Sequence, residues 1–342
     1  MKEFFMSLQN YMYDPERVYT AMAALLLVTL TGMVTGPMHG NANPFLWKLM
    51  NGVFGGVGGR LNRLQRSVAD LSFRGFFLLV VALVFFFLIG EAAAKLCAEY
   101  PLKGVTEVVL LSLAMTGGSV WFALLRLYFA QRDRKVSKGA FYAIAQSTRT
   151  NLSNADDFGI TRTGMMFAAR AFDKGVVAPV FWFLLAGLPG AYIYACLAAF
   201  SWRFGQEGFG KGFGTVPLAL EKLAGYVPGA VSGVFIALAG LFTPTGGMTR
   251  ALRALGGKKG SAPYEQGGWP LTAMAFSLNV SLGGPSVDLD GSAVRRDWIG
   301  PENATAQLEN GHLRRAMYIS LIAHMLFLAS LMGALFWAGR LF

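Results

Sequence analysis

Asn154, Asp156 and Asp157 form the acidic cluster of a long polar stretch, Ala130–Lys174. Two carboxylates this close suit a magnesium ion carrying a nucleotide. That hard cation takes one or two carboxylate oxygens and leaves its other positions to water and phosphate. On this reading Asp156 and Asp157 are the metal ligands and also catalytic candidates. Arg149 and Asn154 stand beside them to hold phosphate, and Arg170 and Lys174 follow as cations that would stabilise a transferring phosphoryl group. A structural reading competes with this one. Ser153 or Asn154 would cap a helix whose first turn holds Asp156 and Asp157, because carboxylates there face the positive end of the helix dipole.

Other motifs carry less chemistry. Phe54–Arg60, FGGVGGR, lacks the Lys-Ser/Thr ending of a phosphate loop. The DLDG run Asp288–Gly291 lacks the distal bidentate glutamate of a calcium loop. The two cysteines, Cys97 and Cys196, have no metal-ligand spacing. His324 falls inside an apolar segment and is expected to pack or hydrogen-bond there.

The elements that must position these residues are apolar. Of 342 residues, 54% are hydrophobic and only 14% charged, which is too few charges for an ordinary soluble domain. The composition predicts an all-α, polytopic integral-membrane helical bundle. Its six expected spans are 19–36, 75–97, 105–127, 175–199, 226–247 and 316–339, with broken helices and one re-entrant segment at Trp269–Pro285. The whole chain, 1–342, reads as one membrane domain. It has an interfacial N-terminal segment at 1–18, a loop at 128–174 and a second loop at 248–315; Phe45–Asn62 reads as a flexible or re-entrant amphipathic piece.

A net charge of +11 would suit nucleic acid, but the cations gather in alternate loops, which is a topology signal. The basic loops are therefore expected to be cytoplasmic, in a bacterial inner membrane, with both termini external and no nucleic-acid partner. The fourth expected span matters most. Gly175–Tyr194, GVVAPVFWFLLAGLPGAYIY, is interrupted by Pro179, Gly187, Pro189 and Gly190 and has Asp173 and Lys174 at its mouth. Breaks of this kind in a membrane helix mark packing joints or binding sites.

Two blocks carry a resemblance. GVVAP, FW and GLPGA followed by a tyrosine are similar to the centre of the CobD/CbiB family, and GWPLTAMAFSLNVSLGGP, Gly268–Pro285, resembles that family's later GWP, AMA and LGGP signatures in the same order. The resemblance implies a membrane-bound adenosylcobinamide-phosphate synthase. Such an enzyme uses Mg-ATP to join adenosylcobyric acid, a corrinoid substrate, to aminopropanol or its phosphate through an amide. It also implies that Trp269, Gly283 and Gly284 of the second block bind substrate. The lipid bilayer and a corrinoid or other phosphorylated small molecule are the expected partners, with a membrane-protein partner or homo-oligomer left open.

The polar positions depart from the family pattern. A Glu-Asn pair and an aspartate before GVVAP correspond to Arg170, Ala171 and Lys174, and a later paired aspartate corresponds to Glu221-Lys222. The Asp-Pro and His-Pro near the first span correspond to Gly36-Pro37 and Asn43-Pro44. The frame survives better than the polar groups, so a second expectation stands beside the ligase: a non-catalytic relative acting as a membrane scaffold or as a protein-, lipid- or corrinoid-binding protein.

Overall fold

The computed structural model describes residues 14–63, 65–99, 102–133, 138–205, 208 and 212–338. Of the expected interfacial segment, residues 1–13 lie outside that range. Asp14 then caps α1 (Pro15–Thr35) by accepting from the Glu16 N–H at 3.0 Å, with Pro15 at a position where no N–H is needed. After it come α2 (Phe45–Leu61), α3 (Val68–Glu99), α4 (Lys103–Ser112), α5 (Gly118–Arg132) and α6 (Lys138–Thr148). The second half contains α7 (Asp157–Phe172), α8 (Ala178–Phe204), α9 (Thr215–Ala224), α10 (Tyr226–Ala239), α11 (Met248–Leu255), α12 (Gly268–Leu278) and α13 (Asn310–Ala338).

Among the described residues four helices are long and apolar enough to cross a membrane, or five if the bent α9–α10 pair counts as one span. Phe73, Phe77, Leu88, Leu30, Val34 and Phe336 are exposed on these helices. In lipid that exposure costs nothing, so the apolar outer face and the membrane assignment agree.

The expected elements need three revisions. The stretch 105–127 is not one helix, because α4 ends and α5 begins either side of Leu113–Gly117. The freed backbone groups there find partners: the Thr116 N–H donates to the Gly175 carbonyl at 2.8 Å, and the Thr116 and Ser119 hydroxyls donate to the Ala42 carbonyl. Phe45–Asn62, expected to be a flexible or re-entrant amphipathic piece, holds a continuous helix, Phe45–Leu61, with Leu46, Trp47, Met50 and Phe54 buried.

The third revision concerns 175–199, which is not a simple crossing. Helices α7 and α8 join through a π turn at Asp173–Val177 into a segment of 48 residues. If straight, it would place its ends about 70 Å apart at 1.5 Å per residue. Instead, Trp202 near one end donates to the Ser147 carbonyl at 2.7 Å, while Gly159 near the other shares a cleft with Thr150 and Asn151. The segment must therefore double back. The reversal is at Ala186 (φ −137°, ψ 16°) and Gly187 (φ 65°, ψ −158°), and the second value is one that essentially only glycine tolerates. Arg17 closes the corner by donating to the freed Leu184 carbonyl at 3.3 Å. The GLPGA motif is thus the apex of a helical hairpin, with Pro189 opening the return arm.

The second loop region folds too. Helix α12 is buried along almost its whole length and stops at Asn279, which adopts a left-handed conformation. Two short antiparallel ladders follow: β1 (Leu282–Gly283) with β4 (Trp298–Ile299), and β2 (Ser286–Val287) with β3 (Ala293–Val294).

Candidate functional site

Two neighbouring places gather the polar residues. The first is a cleft of about 420 Å³ between the start of α7 and the LGGP turn. Its walls are Thr150–Leu152, Asn154–Asp156, Gly159, Arg162, Thr163, Met166, Gly283–Val287 and Arg296. Asp156 is the N-cap of α7, a role the sequence had suggested for Ser153 or Asn154. One oxygen accepts from the Gly159 N–H at 2.7 Å, while the exposed carboxylate borders the cleft. Asp157 follows in the exposed first turn.

Opposite them, Gly283 (φ 87°) and Gly284 (φ 79°) make the LGGP turn, a backbone path that side chains would strain. The turn is pinned by the pairing of Gly283 with Trp298 and by the Gly284 N–H, which donates to the Asp297 carbonyl at 3.3 Å.

Two cations absent from the sequence-based set complete this cleft. The Arg162 guanidinium lies 4.8 Å from the Trp298 ring centroid and donates to the Ala306 carbonyl. Burial pushes the Arg296 guanidinium down to about 10, with the nearby Arg170 charge acting in the same direction, so it stays cationic at neutral pH. Neither was legible beforehand, because residues far apart in sequence meet here only through the α7–β-ladder packing. Arg149 stands behind the cleft wall. It pairs with Asp288 at 3.1 Å, both side chains buried, where the Asn151 N–H also donates to the Val287 carbonyl. It fastens the wall and does not line it. Asp290, on the same DLDG run, receives both the hydroxyl and the N–H of Ser292, which hold its carboxyl below the usual range.

The second place is a set of buried charges at the π turn. Lys174 reaches Glu221 at 2.9 Å, with side chains 5% and 0% exposed, and the Tyr264 hydroxyl donates to the same carboxylate at 2.6 Å. The Tyr264 ring also lies 4.7 Å from the Lys174 ammonium. Next to it, Asp173 is 4% exposed and accepts from the Ser232 hydroxyl at 3.0 Å. Arg170, one turn earlier, is partly buried and electrostatically coupled to Glu221 and Asp173. Lys174 and Glu221 therefore neutralise one another where isolated charges would be prohibitive, with Arg170 and Asp173 close beside them. Trp269 lies nearby, lining a separate cavity with Asp173 and Tyr264.

The nine sequence-derived candidates are thus divided. Asn154, Asp156, Gly283 and Gly284 share the cleft, Asp157 adjoins it and Arg149 supports it, whereas Arg170, Lys174 and Trp269 belong to the buried cluster and its cavity. The signals for the Lys174–Glu221 pair were that both fall at polar positions of the family pattern and that each charge sits beside an apolar run. His324 packs between Trp121 and Phe172, each 4.7 Å away between ring centroids, and its Nδ1 lies 2.6 Å from the Ser320 carbonyl.

The family model described as CobD/Cbib protein matches residues 22–320, which include both places and the hairpin between them. The chain belongs to this family. Similar curated relatives include the cobalamin biosynthesis protein CobD of Brucella suis, 27% identical over 53% of this chain and 56% of its own. That of Rhodobacter capsulatus is 31% identical over 52% of this chain and 57% of its own, and that of Rhizobium meliloti 26% identical over 78% and 84%. The chain spans little more than half the length of the first of these relatives. No solved structure matches. The positions that the resemblance matches to the family's Glu, Asn and Asp are Arg170, Ala171 and Lys174 here, and Lys174 is closed off by Glu221.

Proposed function

We propose that this chain works in cobalamin biosynthesis as an integral-membrane amide-forming ligase, joining adenosylcobyric acid to aminopropanol or its phosphate at the expense of Mg-ATP. The observation that carries the reading is the composition of the 420 Å³ cleft. Arg162 and Arg296 offer positive charge to phosphate, the Gly283–Gly284 turn lets a ligand approach the backbone closely, and Asn154 and Asp156 line the same cleft. The residues fit a magnesium-bound phosphate, since Asp156 spends one oxygen on its cap and keeps the other for a cation. ATP would supply the phosphoryl group that activates the carboxylate. Asp156 and Asp157 would hold its magnesium, and the two arginines would neutralise charge on the phosphates. A corrinoid is too large for such a volume, so its side arm would enter while the ring stays at the mouth. The reading places the basic loops, and hence the cleft, on the cytoplasmic side of a bacterial inner membrane, where ATP is found.

A non-catalytic reading is favoured by a different observation: Lys174 and Glu221, matched to polar positions of the family pattern, satisfy one another with help from Tyr264. One assay separates the two. Protein purified in detergent is given Mg-ATP, adenosylcobyric acid and aminopropanol phosphate, and the amide product is measured for wild type, Asp156→Asn and Arg296→Gln. Asparagine still caps a helix, so Asp156→Asn tests the charge and not the fold. Product from wild type that falls at least tenfold in both variants supports the ligase. Absence of product, with no thermal shift on adding ATP or corrinoid, would support the scaffold.

A further inference from the structure

A second cavity, of about 280 Å³, opens beside the buried charges and has no part in the phosphate cleft. Asp173, Tyr226, Gly229, Tyr264 and Trp269 line it, and Tyr226 and Trp269 meet edge to face at 4.7 Å between centroids. Asp173 is the one anionic group among its lining residues. Lys174, its neighbour in sequence, gives its ammonium to Glu221. The one hydrogen bond that described residues give the Asp173 carboxylate comes from Ser232, and it goes to Oδ1. Gly229 leaves the approach open: a Cβ built there would stand 3.9 Å from both carboxylate oxygens.

A buried carboxylate within aromatic walls recognises a particular kind of ligand. Ring faces attract a cation, and the carboxylate gives it a charge-assisted hydrogen bond in a medium that screens little. The geometry points to this cavity as a binding site for an ammonium group on a short aliphatic stem. Lys222 also lines it but is exposed, so solvent screens that charge. Access is lateral. Leu223, Tyr226 and Val227 beside the mouth are 76%, 57% and 51% exposed on the bent apolar α9–α10 pair, a surface suited to lipid. The ammonium can therefore belong to a small soluble amine or to an aminophospholipid headgroup. In the first case the inference rests on the ligase reading, whose amine substrate this would be; in the second it is independent of that reading.

The test uses the full chain in maltoside micelles. Ethanolamine is compared with ethylene glycol, and phosphatidylethanolamine with phosphatidylglycerol of the same acyl chains, by thermal-unfolding midpoint and calorimetric Kd. Two variants remove the site differently. Asp173→Asn deletes the charge, and Gly229→Ala places a methyl group before the carboxylate inside a helix that favours alanine. We expect the ammonium-bearing probe to raise the midpoint and its uncharged or anionic counterpart not to, with at least a tenfold weaker Kd in both variants. Binding of ethanolamine identifies a soluble amine as ligand, and binding of the phospholipid alone identifies a headgroup. If neither ammonium probe binds, if the counterparts bind equally, or if Gly229→Ala binds as wild type does, the site is refuted. Arg296→Gln in the same assay, titrated with inorganic phosphate, reports on the cleft separately, so failure of one reading is distinguishable from failure of the other.

Discussion

Lys174 and Glu221 define the chain's most sensitive contact at the residue scale. Both are buried, and Tyr264 gives its hydroxyl to Glu221; burial and that carboxylate together push the tyrosine's ionisation up, so it remains a donor. Removing one partner of a buried pair leaves the other charge uncompensated, at about 3–5 kcal/mol. Lys174→Met and Glu221→Gln should each lower the unfolding midpoint sharply, while the double variant should recover most of the loss. A double-mutant cycle by thermal unfolding in detergent checks this, and additive losses would mean the pair is not coupled.

The Asp290–Ser292 contact predicts a pH dependence. A carboxyl held below its unfolded value of 3.8 adds stability above that value and loses it as pH falls through the lower folded one. Asp290 is exposed, so the gain is under about 1 kcal/mol. Ser292→Ala should therefore be slightly less stable than wild type at neutral pH, and the difference should shrink at a pH well below 3.8. Equal stability at both pH values would show that the contact carries no linkage.

The helical hairpin governs the element scale, because the two arms from Asp157 to Phe204 carry Asp173, Lys174 and the cap at Asp156. At its apex, Gly187→Ala forces a non-glycine residue into a left-handed φ, which costs on the order of 1–3 kcal/mol. Arg17→Met should cost less, since it removes one hydrogen bond to Leu184, worth about 1 kcal/mol. Limited proteolysis at the apex, compared between the two variants, ranks them; if Gly187→Ala is no more susceptible than wild type, the turn is not strained there.

This element also shows what the sequence could and could not convey. The prolines and glycines of GLPGA announced a break, yet not its angle: a kinked crossing and a full reversal demand the same residues, and only the distant partners Ser147 and Arg17 distinguish them. The acidic cluster was placed correctly beside a helix start, but the choice of Asp156 as cap depended on one backbone dihedral. The glycines of LGGP make a turn because their positive φ is one that side chains would strain. Arg162 and Arg296 were not legible, because a basic residue in a basic loop looks the same whether it faces solvent or a cleft.

At the scale of the whole molecule, the hairpin alters the arithmetic of crossing. Because α7 and α8 return to the side they left, Arg149, Asp288, Trp202 and Gly159 share one end of the bundle, and Arg17 with Leu184 marks the opposite turn. On the ligase reading the residues around the cleft would all face one compartment, with the basic segments near Arg66 and Lys259 expected beside them. In a variant whose buried Cys97 and Cys196 are replaced by alanine, single cysteines at Arg66, Lys259 and Asp290 should react alike with a membrane-impermeant maleimide. Labelling should be strong in inverted vesicles and weak in intact cells. A cysteine at Asp290 that labels from the opposite face to the other two would break this arrangement, since the Arg149–Asp288 pair and the β-ladders tie that segment to the cleft wall. The same result would remove the cleft from the compartment that holds ATP, and the ligase reading with it.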